Sequence, residues 1–312
     1  MTPAPSGART GNRVTALRWA ALLRRSGHGV RVEESWSGGA CDVLVALHAL
    51  KSAPSLLRFR RERPDGPALL VLTGTDLYSD LRTSEEARRS LQLATRLVVL
   101  NPRALDELSA GLRAKARVVL QSAARVEAVL RDARLFEVCV LGHLREVKDP
   151  FLAARAARGL PADSRVRIVQ VGAALSARMR TAAQAEAGAN PRYRWLGGLR
   201  RGAALRVLAG SRLLLVTSRN EGGPSVVPEA IACGLPLLST RIPAAEGLLG
   251  ADHPGLFAVG DEEGLRDLLA RAESDGPFLA ELARRSEALR SSVDPERERR
   301  ALEELVDEVV RR

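Results

Sequence analysis

The segment Glu221-Gly222-Gly223-Pro224-Ser225-Val226-Val227-Pro228-Glu229-Ala230 follows an apolar run at 212–216 and precedes another at 236–239. Two short apolar runs separated by a helical span read as one winding of a parallel α/β sheet. The Gly-Gly-Pro turn carries the chain off the first strand, and the spacing predicts a helix starting near Ser225. Glu221 falls on the loop and Glu229 on the helix. Both therefore stand at the carboxyl end of a parallel strand, where such sheets bind ligands.

The same alternation extends in both directions. The first half predicts strands at 30–32, 42–47, 68–72, 96–100 and 117–120. The second predicts them at 137–141, 166–171, 193–196, 212–216, 236–239 and 256–259. Val14, Leu17 and Ala21 recur at helical spacing, and Gly27 sits where that helix would end. Leu302, Leu305, Val306 and Val309 mark one face of a last helix. The expected organisation is an α/β chain with an N-terminal Rossmann-like domain over 1–130 and a C-terminal one over 131–294. These two face each other across a cleft, and a C-terminal helix at 295–312 packs back on the first. The boundary is expected within 122–135. Gly7–Arg13 at the start also reads as a loop opening a helix, yet only Met1-Thr2-Pro3-Ala4-Pro5 precedes it. A loop of this kind needs a buried strand before it, so an apolar strand is expected upstream of Met1.

Composition narrows the classes. With 312 residues, 46% apolar and 27% charged, the chain is globular. No apolar run approaches the ~18–20 residues that span a bilayer, and Met1–Arg13 lacks the apolar core of a signal peptide. Cys41, Cys139 and Cys233 show no C-x-x-C spacing, which fits a reducing cytoplasm. His28, His48, His143 and His253 are scattered, and there is no Asp-x-Asp pair. A metal-independent chemistry is expected. The net charge of +11 comes almost wholly from arginine, since only Lys51, Lys115 and Lys148 are lysines. Arginine without a basic block suits small anionic substrates at least as well as nucleic acid.

The residues themselves suggest a nucleotide sugar. A carboxylate on the helix can accept both hydroxyls of a ribose, each bond charge-assisted and worth roughly 1.5–3 kcal/mol. Glu221 can accept hydroxyls of a transferred sugar, and the amides near Ser225 and Val226 suit a phosphate. Asn12 and Arg13 at a helix start suit an anion as well. His48 and Lys51 follow one strand and Thr73, Gly74 and Asp76 another, so both clusters fall at carboxyl ends.

The segment 221–230 resembles the Glu-x7-Glu signature of the retaining GT-B glycosyltransferases of family 4. Ser218-Arg219-Asn220 before it and Ile231-Ala232-Cys233-Gly234-Leu235-Pro236 after it match the family's flanks. The resemblance implies a GT-B fold with the donor in the second half. Gly172 and Leu196 fall at the family's glycine loop and base region. Gly142-His143-Leu144-Arg145-Glu146-Val147-Lys148-Asp149 fits its phosphate loop in part. Lys148 matches the diphosphate lysine, His143 replaces the usual arginine, and either His143 or Arg145 is expected to face the phosphate. The expected donor set is Glu229, Glu221, Lys148, Arg145, His143, Gly222, Gly223, Ser225, Val226, Gly172 and Leu196.

The first half is similar to a subgroup. Gly11-Asn12-Arg13-Val14-Thr15-Ala16-Leu17-Arg18-Trp19-Ala20, Ala46-Leu47-His48-Ala49-Leu50-Lys51-Ser52 and Leu72-Thr73-Gly74-Thr75-Asp76-Leu77-Tyr78 resemble the selenosugar synthases of selenoneine biosynthesis. Gly142-His143-Leu144-Arg145, Gly247-Leu248-Leu249-Gly250 and Pro254-Gly255-Leu256-Phe257 do so too. Such enzymes join selenophosphate to the anomeric carbon of a UDP-sugar such as UDP-glucose or UDP-N-acetylglucosamine. The resemblance implies Glu221, Lys148 and His48 as catalytic residues, and Asn12, Arg13, Thr15, Lys51, Thr73, Gly74 and Asp76 for the acceptor. No cofactor, metal, nucleic acid or stable membrane association is expected. The alternative is a family 4 transferase acting on a lipid or polysaccharide precursor. A nucleic-acid-binding module, resting on charge alone, is the third reading.

Overall fold

A computed structural model describes residues 1–7, 10–126 and 134–311. Parts of three expectations lie outside them: the opening loop at 8–9, the domain boundary at 127–133, and the terminal residue 312.

The chain divides into two compact units. The first comprises Met1–Ser122, Glu221–Ser225 and Ser292–Arg312, and the second Ala123–Asn220 and Val226–Ser291. Strands of the first are β1 (Leu44–Leu47), β2 (Ala68–Leu72), β3 (Arg96–Val99) and β4 (Ala116–Val118). Those of the second are β5 (Phe136–Leu141), β6 (Val166–Val171), β7 (Tyr193–Trp195), β8 (Leu213–Val216), β9 (Leu237–Thr240) and β10 (Leu256–Phe257). Every pairing is parallel. Parallel strands are covered on both faces, and β2, β3, β8 and β9 are accordingly buried at every position.

In the first unit the sheet order is β1-β2-β3-β4. One face packs Phe59, Leu70, Leu91 and Leu97. The other packs Trp19, Leu22 and Val71 against Leu302, Leu305, Val306 and Val309 of the helix Pro295–Val310. That terminal helix thus belongs to the first unit's core. Asp294 caps it by accepting from the Glu296 N–H at 2.8 Å, with Pro295 at the first helical position.

Residues 30–32 form no strand. Their Val-Arg-Val alternation has β propensity, but a strand needs a ladder. Among the described residues the backbone here pairs only at Glu33, whose carbonyl accepts from the Thr2 N–H at 2.9 Å. It is Met1 that lies beside β1, with its ammonium donating to the Val45 carbonyl and its carbonyl accepting from Leu47 N–H.

In the second unit the order is β10-β9-β8-β5-β6-β7. The chain winds outward from β5 to one edge, returns, and winds to the other edge from β8. The winding direction reverses between β5 and β8, and it is at the carboxyl ends of strands at such a switch point that doubly wound sheets bind ligands. Phe136, Val138, Leu152, Ile168, Leu213, Leu265 and Leu282 form the core beneath it. His253 is buried on the β9–β10 connection. Its Nδ1 accepts the Gly255 N–H at 3.1 Å, and Nε2 has no partner among the described residues.

Burial lowers the His253 pKa from 6.5 to about 4, with Arg285 adding to the effect. Between those values the unfolded chain binds more protons than the folded one, so stability falls as pH falls through this window and is unaffected above it. At about 1.4 kcal/mol per unit the loss reaches ~3 kcal/mol by pH 4. Urea midpoints measured from pH 7 to 4 will show this slope, and His253→Asn, whose Oδ1 can take the Gly255 bond, will flatten it. An unchanged slope in that variant would assign the acid sensitivity elsewhere.

Candidate active site

Two loops at the β5/β8 reversal are stitched together. After β5 the chain runs through Gly142 to a short turn at Glu146–Lys148, and Asp149 adopts a left-handed conformation with φ 38°. After β8, Thr217 Oγ1 donates to the Lys148 carbonyl at 2.8 Å, and the Arg219 N–H donates to the Val147 carbonyl at 2.8 Å. The Arg219 guanidinium holds the buried Asp149 carboxylate at 2.7 Å, with Arg155 at 3.6 Å on the other oxygen. These bonds fix the backbone that carries Lys148, whose aliphatic stem passes over Gly142. A lysine head so mounted can meet a diphosphate without ordering its own loop on binding.

Gly172 follows β6 with φ +155°, and a Cβ there would lie 1.9 Å from the Gly142 carbonyl oxygen. Backbone touches backbone at this point, so only glycine fits. The Gly172 N–H donates to the Gly197 carbonyl and its carbonyl accepts from Trp195 Nε1, each at 2.8 Å, which ties this loop to the residues around Leu196. His143 Nδ1 accepts the Ala173 N–H at 3.1 Å. The neutral ring therefore carries its proton on Nε2, a donor that suits an anion. Arg145 is exposed.

Glu229 is buried on the helix Val226–Ala232 and bonded to Arg201 Nη2 at 2.6 Å. Arg201 opens the helix Arg201–Gly210 and has no motif around it. Nothing in the 27 residues between it and Glu229 signals the pairing in the sequence.

The motif itself is split. Glu221–Ser225 groups with the first unit and Val226 onward with the second. In the first unit Asn101 Nδ2 donates to the Gly222 carbonyl at 2.7 Å and Gln121 Nε2 to the Gly223 carbonyl at 2.9 Å. A Cβ on Gly222 would lie 2.4 Å from the Gly74 nitrogen, and one on Gly74 (φ +136°) 2.6 Å from the Gly222 nitrogen. Both glycines are thus required by mutual approach. Thr73 and Gly74 therefore flank the turn that carries Glu221.

The other first-unit candidates cluster behind them. Asp76 is fully buried, and its oxygens accept from the N–H groups of Ala49 (2.9 Å), Thr73 (2.9 Å) and Gly74 (2.7 Å). It shapes the loops after β1 and β2. His48 follows β1 in a left-handed conformation, φ 78°, a strained state for a residue with a side chain. Its Nδ1 accepts from Lys51 N–H at 3.4 Å, and Nε2 meets Thr75 Oγ1 at 3.1 Å, with the Asp80 carboxylate at 3.8 Å. Burial lowers the His48 pKa against the opposing pull of Asp76, so the ring stays neutral near pH 7. Lys51 is exposed, Asn12 and Arg13 are half-buried at the start of the helix Gly11–Arg25, and Thr15 is buried within it.

Residues 122–289 match the family model described as glycosyl transferases group 1, more than half of the chain. The chain belongs to the group 1 glycosyl transferases. Solved structures agree in fold. Anabaena HepE in complex with UDP and glucose is 17% identical with a TM-score of 0.69, over 86% of this chain and 78% of its own. Sucrose-phosphate synthase from Thermosynechococcus elongatus is 15% identical with a TM-score of 0.70, over 86% and 73%. A UDP-forming α,α-trehalose-phosphate synthase from Burkholderia vietnamiensis is 17% identical with a TM-score of 0.69, over 97% and 81%. No curated protein matches the sequence. The fold of this glycosyl transferase is α/β of the GT-B class, with two parallel sheets. Among the described residues no helix is long and apolar enough to cross a membrane.

Proposed function

We propose that this transferase takes a UDP-sugar as donor and selenophosphate as acceptor and forms a carbon–selenium bond without a divalent metal. The observation that carries the donor half is the pair of loops braced together at the β5/β8 reversal, with Lys148 on the loop after β5 and the buried Glu229 on the helix Val226–Ala232 after β8. The diphosphate meets Lys148 and either His143 or Arg145, and the ribose diol meets Glu229. HepE, crystallised with UDP and glucose on the same fold, supports that choice of donor. The acceptor rests on the sequence resemblance around Gly11–Ala20, Ala46–Ser52 and Leu72–Tyr78.

In the reaction, selenium attacks the anomeric carbon as the bond from that carbon to the β-phosphate oxygen breaks, and UDP leaves with the electron pair. Negative charge gathers on the leaving diphosphate, where Lys148, its phosphate-facing partner and the amides near Ser225 stabilise it. Selenophosphate is already anionic and a soft nucleophile, so it needs placement by cations more than a general base. Arg13 and Lys51 supply that charge. Water then cleaves the phosphorus–selenium bond, releasing phosphate and a seleno-sugar.

UDP-glucose and UDP-N-acetylglucosamine, each offered selenophosphate, thiophosphate, phosphate and a lipid acceptor, test this reading. UDP release is expected to depend on selenophosphate and to survive chelation. Arg13→Ala and Lys51→Ala are expected to raise the KM for selenophosphate more than that for the donor. Robust transfer to lipid with no selenium product would move the assignment to a lipid or polysaccharide precursor.

A further inference from the structure

The first unit contains a buried polar chain that begins on the terminal helix and ends on the glycine turn carrying Glu221. Glu298, on the helix Pro295–Val310, has a side chain only 1% exposed. Burying a carboxylate is costly unless its oxygens are saturated with donors. Here they accept from Arg18 Nε at 3.0 Å, Arg18 Nη2 at 3.2 Å, Trp19 Nε1 at 2.7 Å, the Ser122 N–H at 2.9 Å and Ser122 Oγ. The guanidinium of Arg18 extends the chain, because its Nη2 also donates to Gln121 Oε1 at 2.9 Å.

That last bond has a directional consequence. Arginine only donates, so the oxygen of the Gln121 amide must face it. The amide nitrogen is then turned the other way, onto the Gly223 carbonyl at 2.9 Å. Asn101 repeats the device one peptide earlier. Its Oδ1 accepts from the Ala104 N–H at 2.9 Å, which turns Nδ2 onto the Gly222 carbonyl at 2.7 Å. Two successive carbonyls of the turn are thus held by amides whose orientation is fixed from behind. Peptide units are planar, so holding the carbonyls sets the planes of the 222–223 and 223–224 peptides. Two glycines with no side chains of their own gain their conformation from these external bonds.

We propose that Glu298, Arg18 and Gln121 form a positioning relay: the terminal helix orients the Gly222-Gly223 turn and so places Glu221 for group transfer. None of the three need touch substrate. Helix Pro295–Val310 has a second anchor, the Arg96/Arg117–Glu308 cluster, which among the described residues makes no bond to the turn. This separates the relay from mere attachment of the helix.

The inference rests on the transferase reading for its kinetic arm, and hydrogen exchange provides an arm that does not. In Gln121→Leu, kcat is expected to fall about 10- to 100-fold, since small misplacement of reacting groups costs that much. The Kd for UDP and the urea midpoint are expected to stay near wild type. Glu298→Gln is expected to lose kcat and keep the Kd for UDP in the same way, with a lower urea midpoint because Arg18 loses its buried carboxylate partner, and the double variant is expected to be no slower than the slower single variant, because links in one chain are lost once. Gln121→Glu, which turns a carboxylate oxygen toward the Gly223 carbonyl, is expected to be slower than Gln121→Leu. Arg117→Gln, on the second anchor, is expected to keep wild-type kcat.

Exchange in peptides covering 221–225 is expected to quicken in Gln121→Leu whether or not a substrate has been found. If Glu298→Gln fails to fold, the Gln121 pair and the exchange data decide alone. Faster exchange with no transfer by the wild type would sink the transferase reading and leave the relay standing. Unchanged exchange, or multiplying losses in the double variant, would overturn the relay.

Discussion

Replacing Glu229 by alanine raises the Kd for UDP roughly 10- to 100-fold, equivalent to about 1.5–3 kcal/mol of lost charge-assisted hydrogen bonding. The carboxylate is buried and bonded to Arg201 at 2.6 Å, so it is oriented before any ligand arrives. Removing it deletes the carboxylate assigned to the ribose and leaves the Arg201 guanidinium, a pure donor, without that partner. Glu229→Gln keeps the size and loses the charge, and its Kd is expected between the two. Calorimetry with UDP alone reads the effect free of chemistry. Glu221→Ala, by contrast, is expected to bind UDP as wild type does and to lose turnover, because its assigned partner is the transferred sugar. Tight UDP binding by Glu229→Ala would place the ribose elsewhere.

Gly172→Ala is expected to destabilise the second unit by about 3 kcal/mol or more and to abolish UDP binding in whatever fraction stays folded. Two costs combine there. The backbone has φ +155°, and the new methyl would sit 1.9 Å from the Gly142 oxygen and 2.8 Å from the His143 nitrogen. Neither neighbour is a flexible side-chain end, so the loop after β5 must move. That loop carries His143 and Lys148, the groups assigned to the diphosphate. Urea unfolding with calorimetry on the folded protein checks both parts, and a variant as stable as wild type would show that the two loops do not need this approach. Gly188→Ala is the control, since a Cβ there meets nothing within 4 Å.

Much of the second unit was legible because its chemistry is local. Val166–Val171 forms the strand that its apolar run predicts, and 212–216 differs from β8 by one residue. Gly142 and Gly172 each directly follow a strand and Lys148 lies on the loop after β5, so the winding alone brings them to carboxyl ends, while Glu229 is reached through the helix after β8. What stayed hidden depends on long-range pairing. Arg201 lies one helix and one strand away from Glu229. Glu298 meets Arg18 across 280 positions, and neither residue type differs in sequence from a solvated surface charge. Asp76 stands after a strand, as a ligand-binding carboxylate would, yet it turns inward to three backbone N–H groups. The left-handed His48 has no sequence sign, since no glycine marks the position. Residues 30–32 show the opposite failure: local β propensity without a neighbouring ladder to use it.

Carbon–selenium bond formation is read most directly by selenium-77 NMR of the reaction of selenophosphate with a UDP-sugar labelled with carbon-13 at its anomeric carbon. A product in which that carbon is coupled through one bond to selenium is expected, appearing in step with UDP. UDP release with the labelled carbon bonded only to oxygen, as in free sugar or a sugar phosphate, would contradict it.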